Sequence, residues 1–182
     1  MRITEIALLR ATLPLEPPFL AAWDPLPRRE FAATVVRVST DEGIVGYGSG
    51  DTMDGFEPYL GLFVGTDPLA IARQVRVLES ISFHGGRYWP LEAALWDIIG
   101  KSLGVPVATL FGGALDQVPA YASTGAQLSA PERVDSVLAL RERGFRAVKL
   151  RIAADRLAEG VATVRAVRDA VGPAMAIMVD LN

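Results

Sequence analysis

Four polar side chains near the end of this 182-residue sequence have types and spacing that could do chemistry. Lys149 and Arg151 lie in the string Val148-Lys149-Leu150-Arg151-Ile152, and Asp180 and Asn182 in Met178-Val179-Asp180-Leu181-Asn182. Both strings read as strands, in which residues two apart share a face. Lys149 and Arg151 therefore look one way, as do Asp180 and Asn182, while Leu150 and Leu181 look the other. A helical stretch separates the strings, so a right-handed parallel crossover should bring both polar ends to one sheet edge. Together these groups could hold a cation and handle protons.

The elements that must position them begin at Val118. Val118–Thr124 reads as a short strand, and a helix starting at Pro131 carries Val134, Val137 and Leu138 until Gly144 stops it. The strand Phe145–Ile152 follows. Asp155 can cap a helix with Leu157, Val161, Val164, Val167 and Val171 on one face, ended by Gly172-Pro173, before the strand Ala174–Leu181. This alternation predicts parallel α/β architecture. Three such strands cannot close a barrel, so either the sheet is small and open or the sequence is the front part of a longer protein.

Ahead of this run, residues 2–12 and 30–40 read as strands, and Asp41-Glu42-Gly43 as the turn to a returning strand, Ile44–Gly48. Between the first two lies a proline-rich stretch, 14–29, with Phe19 and Trp23. It reads as a lid or as a surface loop packed on its own domain. Gly43, Gly46, Gly48 and Gly50 do not match a dinucleotide fingerprint, and no Walker lysine follows, so they read as glycines of a twisted hairpin. Thr66-Asp67-Pro68 predicts a helix start, with Ile71, Val75 and Leu78 at helical spacing. Pro90 opens a second helix with Leu91, Ala94, Leu95, Ile98 and Ile99. The only histidine, His84, reads as structural.

Composition narrows the function classes. Half of the sequence is hydrophobic (51%) and 21% is charged, which is a globular balance. A net charge of −3 leaves no footprint for nucleic acid or an anionic membrane. With no cysteine there is no disulfide or thiolate metal site, in keeping with a cytoplasmic location. No apolar run reaches the roughly 20 residues of a membrane span.

Ala94-Leu95-Trp96-Asp97-Ile98-Ile99-Gly100-Lys101, Leu110-Phe111-Gly112-Gly113, Lys149-Leu150-Arg151 and Val179-Asp180-Leu181-Asn182, in this order, resemble the mandelate racemase/muconate lactonizing branch of the enolase superfamily. The resemblance implies an α+β capping domain followed by a (β/α)7β TIM-like barrel. Residues 1–116 would form the cap, and 117–182 the first three barrel strands. The 14–29 loop and Asp51–Phe56 would match two mobile cap loops. Phe19, Trp23 and Met53 become candidate substrate contacts, and Ser123 and Asn182 complete that set. The implied activity is Mg²⁺-dependent abstraction of a proton next to the carboxylate of a small-molecule acid, in a homo-oligomer.

Asp180 falls where the resemblance places a first metal ligand, and Lys149 matches the first lysine of a Lys-x-Lys element. The second lysine, the usual base, is replaced by Arg151, which is a donor only. Arg151 would clamp a carboxylate or stabilise an enediolate, leaving Lys149, or a later residue, as the base. One base favours dehydration of a hydroxy acid or acid sugar over racemisation, epimerisation or cycloisomerisation. The further ligands lie beyond Asn182 in this pattern, so a polypeptide ending there is expected to bind Mg²⁺ weakly and to be inactive alone. The competing class is a non-catalytic binding or assembly module.

Overall fold

The computed structural model describes residues 1–182 apart from 22, 51–52, 83–87, 114 and 182. The expectations for His84, Asp51 and Asn182 fall outside the described residues. Two compact units divide the chain: Met1–Leu13 with Phe31–Asp116, and Pro14–Glu30 with Gln117–Asn182.

In the first unit a sheet runs in the order β1 (Ile3–Phe19), β2 (Arg28–Thr40), β3 (Val45–Gly50). Strands β2 and β3 form the antiparallel hairpin that the turn residues predict, with Gly43 at φ 78° where a side chain would be strained. Thr34, Val36, Val38 and Thr40 are buried at alternate positions, and their register partners on the same face include Gly50, Gly48 and Gly46. The helix α2 (Trp89–Leu103) lies on that glycine stripe. A methyl group at Gly46 would overlap the carbonyl oxygen of Ala94, and one at Gly48 that of Pro90. The glycines thus serve close approach of a helix to a sheet, a packing role the sequence pattern alone did not specify.

Helix α2 buries Leu91, Ala94, Leu95 and Ile98 against Ile3, Val36, Val38, Phe56 and Phe63. Its polar side grips the sheet edge. Asp97 Oδ2 accepts from the Tyr47 backbone N–H at 2.9 Å and from Lys101 Nζ at 2.6 Å, while Lys101 also donates to the Val45 carbonyl at 2.8 Å. Gln74, fully buried in helix α1 (Ile71–Ser82), is satisfied by donating to Thr66 Oγ1 and the Asp67 carbonyl at 3.0 and 2.8 Å.

Several boundaries differ from expectation. Strand β1 continues through Pro14, Pro17 and Pro18 to Phe19, because an extended backbone suits the φ that proline fixes. Helix α1 starts at Ile71 rather than Pro68; Asp67 instead accepts from the Leu69 N–H in a preceding turn. A 3-10 turn (Glu57–Leu62) and a short helix, α3 (Val107–Leu110), were unmarked by periodicity.

The second unit holds a fully parallel sheet, β4 (Ala122–Thr124), β5 (Ala147–Arg151) and β6 (Ala176–Asp180), in that order. Helices α4 (Ala130–Glu142) and α5 (Leu157–Val171) make the two connections. Val148 and Leu150 are buried with Ala122, Val137, Val167, Val171 and Met175. Asp155 does not cap α5: it lies in a 3-10 turn, Ala154–Arg156, and the residue preceding the helix makes no side-chain cap bond. Among the described residues no helix is long and apolar enough to cross a membrane.

The start of α4 carries a capping box. Ser129 N–H and Oγ donate to Glu132 Oε2 at 2.8 and 2.6 Å, and Ser129 Oγ accepts from Glu132 N–H. Bonds from Ser129 hold the Glu132 carboxyl below the ordinary value of 4.5. A depressed folded pKa gives stability that is complete above the unfolded value and lost as pH falls through the folded one. Denaturant titration is therefore expected to show a loss of stability as pH falls below the ordinary carboxyl value of 4.5 that Glu132→Gln reduces. An unchanged pH slope in the variant would contradict this account of the cap.

Candidate active site

Strands β5 and β6 are paired so that Lys149 lies beside Met178 and Arg151 beside Asp180, while Ser123 of β4 lies beside Lys149. The buried Val148 and Leu150 fix the opposite face of β5 against the helices, and alternation sends Lys149 and Arg151 to the other side. There they meet one acid. Asp180 Oδ2 accepts from Arg151 Nη2 at 2.8 Å and lies 3.1 Å from Lys149 Nζ. The three side chains are 22–25% exposed, so water reaches them and screening is incomplete.

The proline-rich segment belongs to this unit and supplies the wall beside Arg151. Its guanidinium carbon lies 4.1 Å from the Trp23 ring centroid, a close cation–π contact. Phe19 supports Trp23 edge-on at 6.0 Å. Gly125 makes room for both rings: a methyl there would stand 2.7 Å from the indole and 3.3 Å from Phe19. The segment is tied down by a Gln127 N–H to Leu20 carbonyl bond of 2.8 Å and by the Ala21–Ala126 bridge. The described contacts of 14–29 named here are with Gly125, Ala126, Gln127 and Arg151, residues of the same compact unit.

Lys149 Nζ is 5.8 Å from the ring centroid of Tyr121. Tyr121 was not anticipated, although its position two residues before Ser123 in the same extended string was the available signal. Met53, expected as a substrate contact, is instead wholly buried in the core of the first unit, where an unbranched thioether fills space beside aromatic rings. Arg151 Nε is buried with no hydrogen-bond acceptor among the described residues.

Hard oxygen donors near the correct geometry are what Mg²⁺ requires. Asp180 offers one carboxylate, already shared by two cations, and among the described residues no three His, Cys, Asp or Glu groups cluster to hold a metal ion. The described donors alone do not fit a Mg²⁺ site.

Residues 3–112 match the family model of the mandelate racemase/muconate lactonizing enzyme N-terminal domain. The chain belongs to that family, within the enolase superfamily. Residues 132–182 match the enolase C-terminal domain-like model. D-galactarolactone cycloisomerase of Agrobacterium fabrum is 32% identical over the whole chain and 52% of its own length. L-talarate/galactarate dehydratase of Salmonella typhimurium is 36% identical over 51% of the chain and 24% of its own length. The solved structure of N-succinyl Arg/Lys racemase from Bacillus cereus covers the whole chain and 52% of that protein, with a TM-score of 0.81 and 26% identity. The chain thus spans about half the length of relatives that align along all of it. Relatives in this family include dehydratases, cycloisomerases and racemases.

Proposed function

We propose that this chain contributes a capping domain and the first three strands of a (β/α)7β barrel to an enzyme that removes the proton α to a carboxylate. The reaction favoured is dehydration of a hydroxy acid or acid sugar. One observation carries this reading: Lys149 and Arg151 of one strand and Asp180 of its parallel neighbour converge on a single carboxylate oxygen at a C-terminal strand edge, the edge where α/β enzymes hold their sites.

Each side chain then has a distinct task. Arg151, a donor only, faces the substrate carboxylate and the enediolate that proton removal leaves. Stacking on Trp23 and pairing with Asp180 hold its plane, so little reorganisation is needed as charge develops. Lys149 Nζ is the group of the pair able to take the α-proton. For it to do so, its ion pair with Asp180 must loosen as substrate enters and the ammonium must first give a proton to solvent. The C–H electron pair forms the enediolate, whose collapse expels the β-hydroxyl as water with the proton that Lys149 has just taken, and where the substrate carries an α-hydroxyl the resulting enol relaxes to a 2-keto acid. No metal step follows from the described donors; the chain alone is expected to bind Mg²⁺ with a Kd above about 1 mM, measured by calorimetry.

The test joins an intact mass to an exchange assay. The native protein is expected to have about twice the 19.5 kDa of this chain, by the relatives' lengths. In D2O with hydroxy acids and Mg²⁺ it is expected to release a 2-keto acid. A native mass of 19.5 kDa without α-proton exchange would favour a non-catalytic module instead. Racemisation is the second reading, favoured by the likeness to N-succinyl Arg/Lys racemase. It would give α-deuteration without water loss.

A further inference from the structure

A cavity of about 360 Å³ opens on the other face of β5, between the strand end, the loop 126–129 and the first turns of α4 and α5. Leu150 and Ile152 line it and Lys149 and Asp180 do not, so of the three converging side chains it borders Arg151 alone. Among the described residues that line it, Arg133, Arg151 and Arg156 stand against a single acid, Glu159. Arg133 is the unusual member. It is only 5% exposed, yet its one side-chain hydrogen bond among the described residues goes from Nη2 to the Ala126 carbonyl.

A guanidinium has five N–H donors, and one carbonyl occupies one of them. Burial alone pulls the Arg133 pKa below the ordinary arginine value, with no carboxylate among the described residues offsetting the cost. A buried charge is tolerated when it is paired, and among the described residues no carboxylate is paired with this one. Its sequence neighbour, Glu132, is already committed to Ser129. Arg156 is exposed at the wall, on the 3-10 turn before α5, and can deliver a second cation without a folding penalty.

We infer that this cavity is a binding site for a small oxyanion, a carboxylate or phosphate group, held bidentately by Arg133 and closed over by Arg156. Planar fork geometry makes arginine the side chain suited to such groups. The anion-holding groups, Arg133 and Arg156, take no part in the proposed reaction, and the two sites share Arg151 alone among the converging side chains.

Two probes separate the possible ligands: inorganic phosphate and malonate, each titrated into the 182-residue chain at constant ionic strength set with NaCl. The expected result is a saturable rise in thermal midpoint, as for any ligand that binds only the folded state. Side-chain Nε–H NMR should show the Arg133 signal moving along the same isotherm. Arg156→Ala is expected to weaken binding about tenfold, a single charge-assisted contact's worth. Arg133→Met should abolish it. If that variant does not fold, the Arg133 NMR shift in the unaltered chain decides the matter. Stabilisation by phosphate but not malonate assigns the site to phosphate groups, and the reverse to carboxylates. A flat response to both probes, a static Arg133 signal, or loss of binding in Lys149→Ala would overturn the inference.

Discussion

Gly48→Ala is expected to lower the stability of the first unit by about 3 kcal/mol, the upper part of the range for overpacking. The reason is geometric. The new methyl would occupy the position of the Pro90 carbonyl oxygen and crowd the backbone nitrogen of Ala94, 2.9 Å away. Backbone cannot swing aside as a side-chain tip can, so either α2 lifts from the sheet or β3 leaves its register with β2. Lifting α2 exposes Leu91, Leu95 and Ile98 together. Gly61→Ala is the control: nothing lies within 4 Å of its added methyl, and its change should stay within about 0.5 kcal/mol. Urea denaturation followed by the fluorescence of Trp89 and Trp96, both on α2, reads the difference. Equal midpoints for the two variants would refute the packing account.

Lys149→Met should reduce α-proton exchange by the native enzyme about 10²–10⁴-fold, the usual contribution of a positioned general base. The fold should tolerate it, because Arg151 still pairs with Asp180 and a methionine can follow the lysine stem. Kinetic partition tells a base from a mere substrate anchor. Loss of a base falls on kcat, while loss of uniform binding falls on KM. Should KM rise with kcat preserved, Lys149 is a binding group and the proton goes elsewhere. Arg151→Lys is the informative partner, since it restores a second amine on the same face. A gain of α-deuteration without dehydration in that variant would tie the reaction outcome to this one position.

Much of the second unit could be read from residue order. The alternation of Val148, Lys149, Leu150 and Arg151 announced both faces of β5, and the apolar period of 157–171 announced the crossover that makes β6 parallel. Asp180 was legible for the same reason. What stayed hidden depended on contacts between distant residues. Trp23 announces an apolar loop but not the guanidinium it stacks on, because no local period links positions 23 and 151. Met53 is a loop residue that looked open to substrate, but it is buried in a core that includes Phe56 and Phe63. Asp155 and Ser129 are both good capping residues; tertiary placement of the turn at 154–156 chose against the first, while Glu132 at the third position secured the second.

The grip of Asp97 and Lys101 on Tyr47 and Val45 has a consequence for self-association. Strand β3 is the last strand of its sheet, and such borders invite strands from other molecules to add on. Here the amide of residue 47 and the carbonyl of residue 45 are already occupied by charged side chains of α2. An incoming strand would have to break an ion pair and two hydrogen bonds before making its first rung. Edge-to-edge polymerisation along this border is blocked by the same helix that the glycine stripe admits.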